Sequence, residues 1–185
     1  MNYFTIKNEG ALIFYCLIAS DTERNIKIFS HRLNKNNPSL ASITPDIPAL
    51  QIFEREIYEN SGVGFTGHPW LKPVRYGHDS AISTVMEDYP FYKIESEELH
   101  EVGVGPVHAG VIEPGHFRFI CNGEKVLHLE IQLGYQHRGV ERALVNSPIK
   151  RRIHLIETAA GDTTIGHTTA YSHAMEALSG CMVSA

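Results

Sequence analysis

Several features that would narrow the function are missing from this sequence of 185 residues. Its three cysteines are far apart and form no C-x-x-C pair, so they predict reduced thiols and neither a disulfide framework nor a complete metal site. Histidine is abundant, with 11 residues, yet no H-E-x-x-H pattern or other close zinc spacing occurs. The G-x-G-x-x-G dinucleotide motif is also missing. We therefore expect neither a zinc site nor an NADH site in this chain.

A membrane span and a nucleic-acid surface are not predicted either. The apolar run at residues 11–19 is shorter than the roughly 18 residues that a spanning helix needs. It also lacks the basic leader of a signal peptide. The formal net charge of −5 gives no general attraction to nucleic acid or anionic lipid. We expect a cytoplasmic protein that associates peripherally with the inner (plasma) membrane through its partners.

The first part of the chain predicts an antiparallel hairpin followed by a helix. Residues 10–20 are apolar and rich in β-formers, and residues 25–33 alternate apolar and polar side chains as a half-buried partner strand does. Asp46 is a candidate N-cap for a helix near residues 47–60. The helical spacing predicts three buried side chains on it, those of Ile52, Phe53 and Ile57.

The second part predicts another hairpin, followed by helices. Two strands flank Asn122-Gly123, a dipeptide typical of tight hairpin turns. Helical patterns follow over residues 138–144, 149–158 and 164–179. The sequence therefore predicts an α+β fold in three parts: a domain at residues 1–75, a linker at 76–100 and a second domain at 101–185.

The first domain carries three motifs in a recognisable order: S-x-T at residues 42–44, FEREIY at 53–58 and GVGFTGHP at 62–69. This order resembles the C-terminal part of the small NADH dehydrogenase subunit that sits beside the quinone-site subunit. The resemblance implies docking and not chemistry. Glu54 and Arg55 are then candidates for ion pairs across a subunit interface, and His68 is expected to have a structural role.

The second domain begins with a G-P-x-H loop that ends at His108, and an H-R-G-x-E segment follows its hairpin at residues 137–141. These motifs resemble the start of the large-subunit family shared by membrane-bound group 4 [NiFe] hydrogenases, including formate hydrogenlyase, and the quinone-site subunit of NADH dehydrogenase. The order of the two parts resembles C–D fusions, chains in which the small subunit and the quinone-site subunit are joined.

The resemblance implies three site residues. His108 matches a loop histidine at the quinone head-group site, and a histidine can exchange a proton near neutral pH. The alternative is a loop histidine that caps local carbonyls. His137 and Arg138 match a segment near the partner that carries the terminal iron–sulfur cluster, where a permanent cation favours the reduced cluster. The alternative for Arg138 is an ion pair with Glu141 or Glu130.

A nickel–iron centre is not expected. Hydrogenases of this family carry a C-x-x-C motif just before a segment resembling residues 166–171, and here Ala160 and Thr163 occupy the two cysteine positions. Neither residue supplies a thiolate ligand, and Cys181 alone does not replace the pair. Because the family's large subunit continues well beyond this region, we interpret the sequence as a truncated product or a fragment.

These features predict a subunit of a membrane-associated electron-transfer complex of the hydrogenase or NADH dehydrogenase type, inactive in isolation. No cofactor is expected to bind this chain alone. A partner protein is expected to hold the iron–sulfur cluster, and a quinone is the candidate ligand of a pocket to which the chain contributes. The expected partners are that iron–sulfur subunit and membrane subunits. The alternative is a noncatalytic assembly module that docks the same partners without an electron acceptor.

Overall fold

The computed structural model describes residues 1–33 and 39–181, and it has the predicted α+β architecture. The strands and helices in chain order are β1 (Asn2–Asn8), β2 (Ala11–Ser20), β3 (Asn25–Leu33), β4 (Ser39–Ala41), α1 (Gln51–Ser61), β5 (Gly64–Thr66), β6 (His100–Val104), β7 (His116–Asn122), β8 (Lys125–Gln132), α2 (Val140–Asn146), α3 (Ile149–Glu157) and α4 (Thr164–Ser179). The chain divides into two compact units, Met1–Gln136 and His137–Ala185. The three-part domain division stays a prediction.

The first sheet is antiparallel with the order β1-β2-β3. The predicted hairpin of β2 and β3 is confirmed, and β1 adds a strand that the sequence patterns did not predict. Side chains alternate between the two faces of a strand, so one face of this sheet contributes Tyr3, Phe14 and Leu33 to the main apolar core. Helix α1 and the strand after it complete that core with Ile57 and Phe65.

The prediction that β3 is half-buried is wrong. Every residue of β3 except Leu33 is exposed, and Ile26 and Ile28 keep 63% and 64% of their accessible surface. Helix α1 packs against β1, and β3 lies at the opposite edge of the three-stranded sheet. Strand β3 is therefore an exposed edge strand, although its side chains alternate between apolar and polar as predicted.

Helix α1 exists as predicted, but its start and its buried face differ. A short 3-10 turn at Pro48–Leu50 precedes it, and neither this turn nor α1 has a side-chain cap, so Asp46 is not the N-cap. Ile52 is exposed and Ile57 is buried. The other fully buried side chains of the helix are charged: Glu54, Arg55 and Glu59. These charged side chains point toward irregular segments of the chain, and those segments supply their hydrogen-bond partners.

The carboxylate of Glu59 organises the segment that follows β5. Its oxygens accept hydrogen bonds from the backbone N–H groups of Val74 at 3.0 Å, Arg75 at 2.8 Å and Tyr76. The Glu59 carbonyl accepts two more, from the N–H of Ala81 and the hydroxyl of Ser80. A carboxylate that leaves water needs such bonds to offset its lost hydration. One residue of α1 thus fixes the path of residues 74–81.

The second sheet is antiparallel with the order β6-β7-β8. The predicted hairpin is confirmed, although the pairing of Asn122 with Lys125 makes Gly123-Glu124 the two-residue loop. Strand β6 pairs with β7 and was not predicted. Strands β4 and β5, which precede and follow α1 along the chain, form a separate parallel pair.

The second unit consists of the three predicted helices. Helix α2 begins after Gly139, whose backbone is left-handed, and α3 begins directly after Pro148. Helix α4 spans Thr164–Ser179 and ends at the left-handed Gly180. Its side chains Ile165 and Leu178 are largely exposed within this unit.

Glu59→Gln should destabilise the first unit, because the amide would replace one accepting oxygen with a donor that faces backbone N–H groups. We expect a loss of about 2–3 kcal/mol in the free energy of unfolding, measured by urea denaturation. The matched control is Glu56→Gln on the same helix, since Glu56 is partly exposed and pairs with Arg75; its loss should stay below about 1 kcal/mol. Equal losses in the two variants would contradict the role given to Glu59.

Candidate functional site

His108 lies in the loop between β6 and β7, and its ring is fixed on two sides. The Nε2 atom lies 2.8 Å from the carbonyl oxygen of Gly115, at the far end of the same loop. The ring also packs edge to face with the Phe117 ring, with 5.4 Å between centroids and planes at 82°. The side chain is half-buried. The carbonyl-capping alternative is therefore present in the structure, and it leaves the other ring nitrogen available.

The backbone of this loop fits closely around the His108 ring. The Gly105-Pro106 peptide is cis, and Gly105 has a φ of +96°. A Cβ atom at Gly105 would meet the Gly115 carbonyl and lie 2.7 Å from Nε2 of His108. In the same loop, Val107 and Val111 each keep 80% of their surface exposed. The loop thus presents both an imidazole and exposed apolar side chains.

His137 and Arg138 open the second unit. Both side chains are exposed, and Arg138 Nη2 donates to the carbonyl oxygen of Thr158, the residue after α3. The last carbonyls of a helix lack partners within the helix, and a cation there also complements the helix dipole. Glu130, one candidate partner of Arg138, is engaged by Lys72 and Tyr92. His108 belongs to the first unit, whereas His137 and Arg138 belong to the second.

Ala160 and Thr163, at the positions of the family's first cysteine pair, flank a single turn before α4. Ala160 precedes the 3-10 turn, and Thr163 N–H donates to its carbonyl at 3.2 Å. Thr163 is the residue before α4 and makes no side-chain cap bond. Across residues 1–33 and 39–181, no group of three or more His, Cys, Asp or Glu side chains is close enough to hold a metal ion.

A polar cluster that the sequence patterns did not predict joins the segment after α1 to the second sheet. Lys72 Nζ donates to Glu130 Oε1 at 2.7 Å and to the Pro90 carbonyl at 2.5 Å. The second oxygen of Glu130 accepts the Tyr92 N–H at 2.8 Å. Glu130 is 3% exposed, so its charge depends on these donors. Sequence patterns contain no signal for this pair, because 58 residues separate Lys72 and Glu130.

Aromatic rings enclose the same cluster. Lys72 Nζ lies 4.1 Å from the centroid of the Trp70 ring, a cation–π distance. His128 packs between Trp70 and Tyr92, at centroid distances of 5.8 and 4.7 Å. Burial first, and then the Glu130 carboxylate, raises the pKa of Tyr89 well above its usual range. The cluster is therefore a buried polar core in which the charges of Lys72 and Glu130 are paired, while the Tyr89 hydroxyl and Nε2 of His128 are buried without a hydrogen-bond partner among the described residues.

A groove of about 550 Å³ runs beside this cluster. Its wall includes Tyr58, Leu71 and residues 82–85. The hydroxyl of Thr84 in this wall is buried and has no hydrogen-bond partner among the residues that the structure describes.

No helix in the described part of the chain is long and apolar enough to cross a membrane.

Comparison with known families bears directly on the first unit. Residues 3–94 match the family described as respiratory-chain NADH dehydrogenase, 30 Kd subunit. Residues 3–94 belong to that family. The motifs at residues 42–69, on which the resemblance to the small subunit rests, lie within this 30 kDa-subunit domain, as do the first sheet and α1.

Longer relatives cover both parts of the chain. Formate hydrogenlyase subunit 5 of Escherichia coli is 30% identical over 82% of this chain and 30% of its own length. Hydrogenase-4 component G of the same organism is 27% identical over 89% of this chain and 33% of its own length. The C/D subunit of NADH-quinone oxidoreductase of Phocaeicola vulgatus is 26% identical over 72% of this chain and 32% of its own length. The chain thus spans about a third of the length of these relatives.

Within the 30 kDa-subunit domain, the prediction of interface ion pairs at Glu54 and Arg55 is wrong. Glu54 is fully buried and accepts hydrogen bonds from the Ile43 N–H and from two hydroxyl groups, those of Ser42 and Thr44. Arg55 is 4% exposed and donates to the carbonyls of Lys72 and Pro73. Both charges are therefore used inside the domain, where they hold loops against α1.

His68 stabilises the turn of the same domain. Its Nδ1 accepts the backbone N–H of Trp70 at 2.8 Å, and its Nε2 lies 3.3 Å from the Gln51 carbonyl. An acceptor at Nδ1 and a donor at Nε2 define the neutral imidazole. Burial lowers the pKa of His68 below its ordinary value, outweighing the opposing effects of Gln51 and Glu54. The structure thus assigns His68 to the turn, as expected.

We predict that His68→Asn reduces the acid sensitivity of the first unit. The folded-state pKa is lowered, so the unfolded chain takes up the His68 proton first as the pH falls below about 6.5. The destabilisation is absent above this pH and grows as the pH falls toward the folded pKa. The Asn side chain retains an acceptor for the Trp70 N–H without titrating. Urea denaturation between about pH 5 and 7.5 should show a shallower loss of stability than in the unchanged chain.

The control is His78→Asn, because His78 is exposed in the same domain. It should retain the full pH dependence of the unchanged chain. If both variants retain that dependence, His68 does not contribute to it.

Proposed function

We propose that this chain is a subunit of a membrane-associated electron-transfer complex of the hydrogenase or NADH dehydrogenase type, and that His108 contributes to a pocket for a quinone head group. The observation that carries the proposal is the fixed His108 ring, held by the Gly115 carbonyl and Phe117 in a loop that also exposes apolar side chains. Redox ligands of this kind combine an apolar ring with polar oxygen atoms, and this surface offers both kinds of contact. A relative named for NADH-quinone oxidoreductase supports this ligand class.

The proposal gives His137 and Arg138 a role toward a partner protein that holds an iron–sulfur cluster. Arg138 is exposed, permanently charged and oriented by its bond to Thr158. Three isolated cysteines, at the middle of β2, in β7 and after α4, give this chain no ligand set of its own for such a cluster. The proposal therefore assigns the cluster to a partner protein.

A noncatalytic assembly module is the second candidate, and one surface of the first sheet favours it. The face opposite the core, which we call the outer face, carries apolar side chains on all three strands: Phe4, Ile6, Ile13, Tyr15, Leu17, Ile26 and Ile28. Phe4 stacks on Tyr15 with 5.6 Å between ring centroids. An apolar patch of this extent is typical of a surface that packs against another protein.

His108→Gln should separate the two candidates in the complex that contains this chain. Assembly should persist, because the Gln amide can still donate to the Gly115 carbonyl. Quinone reduction should fall by about 100-fold or more, since the amide cannot transfer a proton. The assays are co-purification of partners and turnover with a soluble quinone. The control is His100→Gln at the exposed start of β6, which should leave both unchanged.

Full turnover in the His108→Gln complex would exclude a role for His108 at the electron acceptor. The assembly function is tested by Ile26→Asp with Ile28→Asp, which places charge on the outer face without changing the core. Loss of partners in this variant, together with unchanged turnover in the His108 variant, would favour the noncatalytic module.

Arg138→Met should lower the reduction potential of a neighbouring cluster, because the reduced cluster loses a nearby positive charge. Arg138→Lys keeps that charge while weakening the bond to Thr158, so it should retain most of the original potential. Both potentials are measured by redox titration of the assembled complex. An equal decrease in the two variants, or loss of assembly in both, would assign Arg138 a structural role at the end of α3.

A further inference from the structure

We propose that the loop selects one tautomer of His108, and that neutral His108 therefore binds the hydroxyl of a reduced quinone in preference to the carbonyl of the oxidised form. Gly105 and Gly115 act as positioning residues in this selection. The inference rests on the proposed quinone site and deepens it, because it specifies the redox form that the site holds.

The hydrogen-bond partner of Nε2 fixes the position of the proton. A backbone carbonyl oxygen can only accept a hydrogen bond, so the nitrogen 2.8 Å from Gly115 O must carry the proton. A neutral imidazole has one N–H group, and Nδ1 is then an unprotonated acceptor. Among the residues that the structure describes, Nδ1 has no hydrogen-bond partner.

The hydrogen bond to Gly115 holds the ring in this orientation. Nε2 and Cε1 are the His108 atoms nearest to a Cβ built at Gly105, at 2.7 and 2.9 Å, so the backbone there packs directly on the bonded side of the ring. Gly105 has a positive φ, which favours glycine. The imidazole also packs edge to face with the Phe117 ring. A flipped ring would lose the Gly115 bond and leave that carbonyl without its side-chain donor.

The unprotonated Nδ1 sets the ligand preference. An acceptor nitrogen can bind a phenolic O–H group but offers no proton to a quinone carbonyl. Facing a carbonyl oxygen, Nδ1 would place two acceptors against each other, which costs the hydrogen bond and adds repulsion. Neutral His108 should therefore bind a hydroquinone about tenfold more tightly than the corresponding quinone, or better. Only the imidazolium form donates from Nδ1, so it can bind the oxidised ring.

Long-range ¹H–¹⁵N spectra of the full chain, with its histidines labelled, test the tautomer without any ligand. At a pH where His108 is neutral, its signals should show a proton on Nε2 and none on Nδ1. His68 provides an internal reference for this pattern, because its Nδ1 accepts the Trp70 N–H. A neutral His108 that carries its proton on Nδ1, or an equal mixture of tautomers, would overturn the inference.

Gly105→Ala should convert His108 to a mixture of tautomers, because the added Cβ displaces the ring from the Gly115 carbonyl. Val107→Ala is the matched control, since Val107 is exposed in the same loop; it should keep the Nε2–H pattern. If Gly105→Ala unfolds the loop, the spectrum of the unchanged chain still decides the tautomer.

The ligand preference is tested by titrating the same sample, without oxygen, with tetramethyl-1,4-benzoquinone and with its hydroquinone. The expected result is a shift of the His108 Nδ1 signal at about tenfold lower concentration of the hydroquinone. Equal or tighter binding of the quinone overturns the selectivity. If neither probe shifts His108 while the Nε2–H tautomer is observed, the proposed quinone site fails and the tautomer assignment stands.

Discussion

Buried carboxylates that need backbone donors are the constraint on which the first unit depends. Glu54 and Glu59 on α1 and Glu130 on β8 have almost no exposed surface, and each accepts at least one backbone N–H. An ionised carboxylate in such a place is tolerable only when its oxygens are fully hydrogen-bonded. The loops that provide these donors therefore have little freedom, although they contain few regular elements.

This constraint explains how the chain passes from the 30 kDa-subunit domain to the second sheet without a flexible spacer. Glu59 holds the backbone at residues 74–76, and Glu130 binds Lys72 and the Tyr92 N–H. Gln132 adds a third attachment, because its amide donates to the Met86 carbonyl at 2.8 Å. The segment predicted as a linker is thus held at several points by side chains of α1 and β8.

The His108 loop follows the same principle with an imidazole ring in place of a carboxylate. One end of the loop provides the imidazole and the other end provides the carbonyl that orients it. A ligand site needs a side chain whose orientation is settled before the ligand arrives. The apolar outer face of the first sheet offers a different kind of contact, because its side chains are apolar and form no orienting hydrogen bonds.

Local patterns in the sequence were enough to predict the α+β class, the β2–β3 and β7–β8 hairpins and the helices, because alternation, turn dipeptides and helical spacing act over a few neighbouring residues. The family is likewise recognisable from motifs whose order is visible along the chain. Which charges are buried depends instead on contacts between distant segments. Glu54, Arg55 and Glu130 are charged residues, a type that usually lies at the surface. Their hydrogen-bond partners lie 10 to 58 residues away along the chain. Periodicity contains no signal at that separation, so the hydrogen bonds that order this fold arise when distant loops close over the helix and the sheet.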